Sequence, residues 1–116
     1  MIEVPAAAQG EVWDAVLGPG VGREQAGFRP VLAFSVDELG LGPGDMVIAV
    51  PFTSAREYPL SVTVDPPEGG LEKQSFALVN QISAISRHRL KRFRGIVSEE
   101  TLRSVHEVLG VLTRVD

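Results

Sequence analysis

The sequence predicts a mainly β fold: a small, strongly bent antiparallel sheet or partial barrel with one helix packed on it. Three observations predict it. Apolar runs of strand length recur between turns rich in Gly and Pro. At least one run alternates, as a strand with one wet face does. From Ser98 the apolar spacing changes to that of a helix.

Taken in order, GEVWDAVL at 10–17 is a first strand, with Val12 and Trp13 favouring β structure and Gly18-Pro19-Gly20 ending it. A loop with four glycines covers 18–28. PVLAFSV at 30–36 is a near-continuous apolar strand whose opening proline forfeits only a terminal ladder bond. LGLGPGD at 39–45 is a turn cluster leading to the strand MVIAVPFT, where Pro51 suggests an edge or a bulge. YPLSVTV alternates, with Leu60, Val62 and Val64 on one face, and DPPEGG at 65–70 is a loop. SFALVNQISAIS at 75–86 is one bent strand or two short ones. Ser98 then caps a helix with Glu99 and Glu100 in its first turn and Leu102, Val105, Leu109 and Leu112 along one stripe, widened by Val108 and Val115.

At 116 residues, 44% hydrophobic and 22% charged, the chain fits one ordinary domain spanning 1–116. The absence of cysteine excludes a disulfide framework, a thiolate zinc site and a Cys nucleophile. Two distant histidines argue against a metal site, leaving carboxylates as the ligands for any hard cation. MIEVPAAAQG lacks the basic and apolar segments of a secretory signal, and no apolar run is long enough to span a membrane, so a cytoplasmic protein is expected. The net charge of −4 is unevenly spread. The first seventy-two residues hold eleven acids against three arginines, whereas the only charged residues from Lys73 to Val97 are basic. An acidic molecule can therefore still present a surface that attracts phosphate.

The loop GREQAGFRP at 22–30 carries more charge than a turn needs. It belongs to a set of pieces, GEVW at 10–13, GREQAGFRPVLAFS at 22–35, AVPFTS at 49–54, YPLSV at 58–62 and SFALVNQISAIS at 75–86 followed by Arg89-Leu90. In order and spacing this set resembles the MazF/PemK (Kid-like) toxins of bacterial toxin–antitoxin pairs. The resemblance implies an SH3-like barrel with a C-terminal helix, usually a homodimer. It implies an endoribonuclease that needs no metal or other cofactor, cuts single-stranded RNA at a short sequence, and leaves a 2′,3′-cyclic phosphate and a 5′-hydroxyl. It also implies a cognate antitoxin that blocks the site with an acidic, initially disordered segment.

Such a reaction needs a group to take the 2′-OH proton, a charge to stabilise the phosphorane and a group to neutralise the leaving 5′-oxygen. The resemblance assigns Arg29, whose fork can grip two phosphate oxygens, and Thr53, in its P-x-T context, to the catalytic centre. Glu24 is the candidate proton acceptor. Ser54 could assist Thr53. Gln25 has two open readings, reading a base edge or tying down the loop. Arg23 departs from the small residue the family often has there, and either adds a phosphate contact or is solvated. Phe28 either stacks on an exposed base or packs beneath the loop. RHRLKRFRG at 87–95, with Arg87 and Arg89, is an RNA-tracking rim, an antitoxin landing surface or a solvated face. Two competing functions stand beside this one: a CcdB-like binding toxin that poisons gyrase, against which the ending TRVD lacks the expected aromatic residue, and a degenerate toxin that retains only antitoxin binding.

Overall fold

The computed structural model describes residues 3–22, 24 and 26–116, so Arg23 and Gln25 lie outside the described residues. The strands are β1 (Glu11–Leu17), β2 (Gly27–Ala33), β3 (Met46–Thr53), β4 (Val62–Val64), β5 (Ser75–Ala77), β6 (Ser83–Ser86) and β7 (Leu90–Ile96), all paired antiparallel. One short helix, α1 (Asp37–Gly40), precedes β3, and the long helix α2 (Glu99–Leu112) closes the chain. The strands run β4-β5-β3-β2-β1-β7, with β6 added on β3.

That branching has a chemical cause. The first half of β3, Met46 to Ala49, pairs with β6, whereas Phe52 and Thr53 pair with β5. Pro51 stands where the partner changes, because it has no N–H to continue either ladder. Its carbonyl instead accepts from Leu78 N–H at 2.9 Å, at the corner that separates β5 from β6. Residues 75–86 are accordingly two short strands joined by a 3₁₀ turn at Val79–Gln81.

Alternation along the central strands builds two cores. Val12, Leu32, Val50 and Phe52 face one way and pack with Val64, Ala77, Val79, Val97 and Val105 of α2. Ala15, Val31, Ala33 and Ala49 face the other way and pack with Ala7, Val47 and Leu90. Trp13 is half-buried against the second cluster and meets Phe93 edge-on at 5.8 Å. Helix α2 contributes Leu102, Val105, Val108 and Leu109 to the first core, but it outruns the sheet beneath it. Leu112 and Val115, expected on the same stripe, are exposed.

Several segments differ from the sequence reading. Only Val62–Val64 of YPLSVTV is a strand. Tyr58–Ser61 is a turn closed by Ser61 N–H and Oγ donating to Tyr58 O, with Leu60 in the left-handed region at φ 60°. The basic stretch contains the edge strand β7, which carries two register shifts against β1. The expectation that Arg87 belongs to an RNA-tracking rim is corrected: its side chain is only 2% exposed. Its guanidinium donates to the carbonyls of Gly40, Gly42 and Gly44, which holds the 39–45 turn against the sheet.

The cap of α2 is built as expected and then extended. Ser98 Oγ accepts from Thr101 N–H at 3.1 Å. Glu68, from the 3₁₀ turn Glu68–Gly70, accepts from Ser98 N–H at 3.0 Å, Ser98 Oγ at 3.2 Å and Thr101 Oγ at 2.5 Å. Burial alone would raise the Glu68 carboxyl, but those hydrogen bonds outweigh it and hold the group below the ordinary glutamate value of 4.5.

Two outcomes follow for stability. Arg87→Ala removes the side-chain donor from the carbonyls of Gly42 and Gly44 and leaves Gly40 O with Ala7 N–H alone, and should cost about 2–4 kcal/mol, lowering the melting temperature by at least about 8 °C. Glu68 has a folded-state pKa below its unfolded one, so its stabilisation is complete above pH 4.5 and lost as the pH falls through the depressed value. Melting curves across pH should show Glu68→Gln less stable than the parent at pH 7, with the gap closing in acid below 4.5.

Candidate nucleic-acid cleavage site

The β2–β3 register is Val31↔Pro51, Leu32↔Val50 and Ala33↔Ala49. Continued two residues past its last rung, it sets Arg29 opposite Thr53. Opposed residues of an antiparallel pair are cross-strand neighbours. The two residues, twenty-four positions apart in sequence, duly line one cleft of about 210 Å³ together with Ser54, Lys73, Ser75 and Arg94. Arg29 is exposed, and its Nε donates to Ala26 O at 3.3 Å, which fixes the guanidinium to the end of the loop. Thr53 is only 5% exposed, and its Oγ1 accepts from Ala55 N–H at 3.2 Å, an arrangement that leaves the hydroxyl proton to donate elsewhere. Ser54 is exposed beside it.

The far wall comes from a close backbone crossing. Gly69 and Gly70 both have φ of 66°, and a Cβ on Gly70 would lie 2.1 Å from Arg94 O. A Cβ on Gly95 would lie 2.6 Å from Gly70 N. Only glycine lets the 3₁₀ turn lie directly on β7 here. Arg94 NH2 donates to Gly70 O at 3.0 Å, and Arg94 NH1 meets both oxygens of Asp14 at 3.2 and 3.3 Å. Asp14 is 2% exposed and is also held by Arg92 Nε at 2.9 Å. A carboxylate so buried must be paired.

The remaining expected residues fall elsewhere. Glu24 lines a neighbouring groove of about 610 Å³ that also includes Met46, Asn80, Ser83 and Arg89. Its Oε1 accepts from Val21 N–H at 2.9 Å, so in this structure it braces the loop. Arg89 donates to Val16 O at 3.1 Å on the rim of the same groove. Phe28 is 62% exposed, at the mouth of the loop, and lines neither cavity. Among the described residues, no three His, Asp or Glu side chains gather to hold a metal ion. No helix of the described residues is long and apolar enough to cross a membrane.

Lys73 and Arg94 were not singled out from the sequence beyond their place in the basic half of the chain. The signal for Arg94 was Asp14, an acid set inside the apolar run of β1, which requires a cationic partner when buried. No comparable signal marks Lys73, whose position depends on the Gly69-Gly70 crossing.

Comparison with known proteins agrees with the fold. Residues 8–113 match the family described as PemK-like, MazF-like toxin of type II toxin–antitoxin system. The chain is 33% identical over 106 residues to the endoribonuclease EndoA of Bacillus subtilis, covering 89% of this chain and 90% of that protein. It superposes on the crystal structure of MazF from Deinococcus radiodurans with a TM-score of 0.77 at 28% identity, covering 98% of this chain and 100% of the other. It superposes on the MazE–MazF crystal structure from the same organism with a TM-score of 0.70 at 25% identity, covering 99% of this chain and 100% of the other. A barrel-like sheet with a terminal helix, an Arg–Thr cleft formed by adjoining strands, and a match over nearly the whole length lead to one assignment: this chain belongs to the PemK-like, MazF-like toxins of type II toxin–antitoxin systems.

Proposed function

We propose that the protein is a cytoplasmic endoribonuclease toxin that cleaves single-stranded RNA without a metal ion, using Arg29 and Thr53 at the scissile phosphate. The observation that supports this most is the meeting of those two side chains in one cationic cleft. In the reaction, the 2′-oxygen attacks phosphorus and loses its proton, and the P–O5′ bond breaks. The products are a 2′,3′-cyclic phosphate and a 5′-hydroxyl that has gained a proton. Charge accumulates on the non-bridging oxygens as the phosphorane forms. The Arg29 fork and the Thr53 hydroxyl are the groups placed to receive it, already oriented by Ala26 O and Ala55 N–H.

The larger groove suits the flanking nucleotides. Its floor is apolar, with Val31, Met46 and Pro51, and its edges carry Asn80, Ser83 and Arg89, groups that read base edges or hold phosphate. Phe28 stands exposed at the loop mouth, available for stacking. Glu24 serves this groove by shaping the loop.

The acidic antitoxin segment expected of the family has a matching surface in β7, an edge strand exposing Lys91 and Arg92. Homodimer formation is supported by exposed apolar side chains at the end of the chain, Val111 and Leu112 in the last turn of α2 and Val115 beyond it.

Purified protein in excess EDTA should cut an unstructured RNA at a short recurrent sequence. Arg29→Ala should lower kcat by at least about 100-fold, and Thr53→Val, which keeps the shape and removes the hydroxyl, by about 10- to 100-fold. Undiminished cleavage by Arg29→Ala would remove the guanidinium from the chemistry, and cleavage abolished by EDTA would sink the metal-free mechanism. Sedimentation equilibrium should give twice the 12.5 kDa chain mass, and a Leu112→Glu, Val115→Glu variant should sediment as a monomer.

A further inference from the structure

The cleft holds more positive charge than one phosphate uses. Arg29 and Thr53 form one end, and Lys73 and Arg94 belong to the opposite wall. Glu72 is the single acid among the lining residues; it is 84% exposed and stands 3.7 Å from Arg94, a contact that solvent weakens. Asp14 balances only one of the two arginines it touches, the exposed Arg92 and the largely buried Arg94, so the three groups together retain a positive charge. Lys73 pairs with no acid among the described residues. Its place is nevertheless fixed. Leu71 is buried in the core on one side, Ser75 is buried on the other, and Ser75 Oγ donates to Lys73 O at 2.9 Å. Between them Lys73 is exposed and lines the cleft.

Two guanidinium nitrogens in the described residues, Arg87 Nε and Arg94 Nε, are buried without a hydrogen-bond partner, and only the second belongs to a side chain lining this cleft. A buried donor left unpaired costs about 1–3 kcal/mol unless water or an ion completes it. The cleft volume of about 210 Å³ equals roughly seven waters at ~30 Å³ each, room for more than one phosphoryl group.

We propose that Lys73 and Arg94 form a second phosphate position beside the Arg29–Thr53 position, so that efficient cleavage requires a charged phosphodiester immediately adjacent to the one being cut. This rests on the ribonuclease reading above. Lys73 supplies a mobile point charge, and Arg94 a fixed one clamped by Asp14 and Gly70 O. Together they set which linkage comes to rest against Arg29.

The test uses chemically synthesised RNA containing one mapped cut site, with a neutral methylphosphonate placed at the linkage 5′ or 3′ to the scissile one. For the wild-type protein, one of the two placements should lower kcat/KM about 10-fold, chiefly through KM. Lys73→Ala, an exposed position where folding is not at stake, should lose about 10-fold on the unmodified strand and distinguish the two strands by less than about 3-fold. Binding of a strand made uncleavable by a 2′-deoxy residue at the cut site supplies a readout without catalysis. Lys73→Ala should reduce the slope of log K against log salt by about 0.7, one phosphate contact on a single strand. Wild-type cleavage indifferent to both placements, full discrimination retained by Lys73→Ala, or an unchanged salt slope would overturn the proposal while leaving the ribonuclease intact. Failure of the wild-type protein to cut any RNA would remove the ribonuclease reading, and this proposal with it.

Discussion

The change of partner along β3 is the constraint on which the rest of the molecule depends. A strand that paired β6 along its whole length would carry Phe52 and Thr53 away from β2 with its own twist. Pro51 ends that ladder, Leu78 N–H takes the freed carbonyl, and the last two residues are handed to β5. The sheet bends at that point into a partial barrel, its two faces closing over separate cores. Thr53 consequently leaves the sheet at the place where β2 emerges from its glycine-rich loop with Arg29. The cleft is a product of strand topology, and its two principal side chains need no loop to bring them together. Sites carried on strands hold their geometry better than sites carried on loops.

A second constraint supports the far wall. Burying Asp14 removes a carboxylate from water at a cost of several kcal/mol, recovered only if its partners are close and well directed. Arg92 and Arg94 meet that condition from β7, whose other side-chain anchors are Leu90 in the second core and Phe93 against Trp13, and whose ladder slips twice. The ion cluster thus fixes the register of the edge strand more than it adds to stability. The glycine crossing of residues 69, 70 and 95 gives the same strand a second fixed point, backbone against backbone. Between them they leave Arg94 one position, facing the cleft.

The legible parts of the sequence were those with a strong period or strong punctuation. β1 and β3 appear within a residue of their expected bounds, and α2 begins at the predicted Ser98 cap, because apolar run length and capping chemistry are local signals. β7 was not legible. Its sequence, LKRFRGI, carries charge at three of seven positions, two of them adjacent, so it shows no apolar period, and its pairing depends on Asp14 about eighty residues away. The turn at Tyr58–Ser61 was mistaken for strand because Leu60 and Val62 alternate correctly while Leu60 occupies a backbone region that branched side chains rarely adopt. For the site, Arg29 and Thr53 were named from the resemblance alone. What residue types could not convey was the sharing of one cleft by these two with Lys73 and Arg94, or the placement of Glu24 in the groove beside it.

Arg87 and Arg89 show why a run of basic residues is a poor guide to a binding surface. They are two positions apart, in one 3₁₀ turn, with the same charge. The first points into the molecule, where it donates to three carbonyls of a glycine-rich turn; the second lies across the rim of the large groove with one bond to Val16 O. Arginine serves both because a planar fork of donors matches an array of carbonyls as well as it matches a phosphate. In an acidic protein of net charge −4, each guanidinium committed to internal carbonyls is one fewer available to attract RNA over a distance. The field that draws in a polyanion must then come from few groups held close together, Arg29, Lys73 and Arg94 in the cleft and Arg89 beside it. Concentrating positive charge in this way makes the field around the cleft more positive than the net charge of the molecule would suggest.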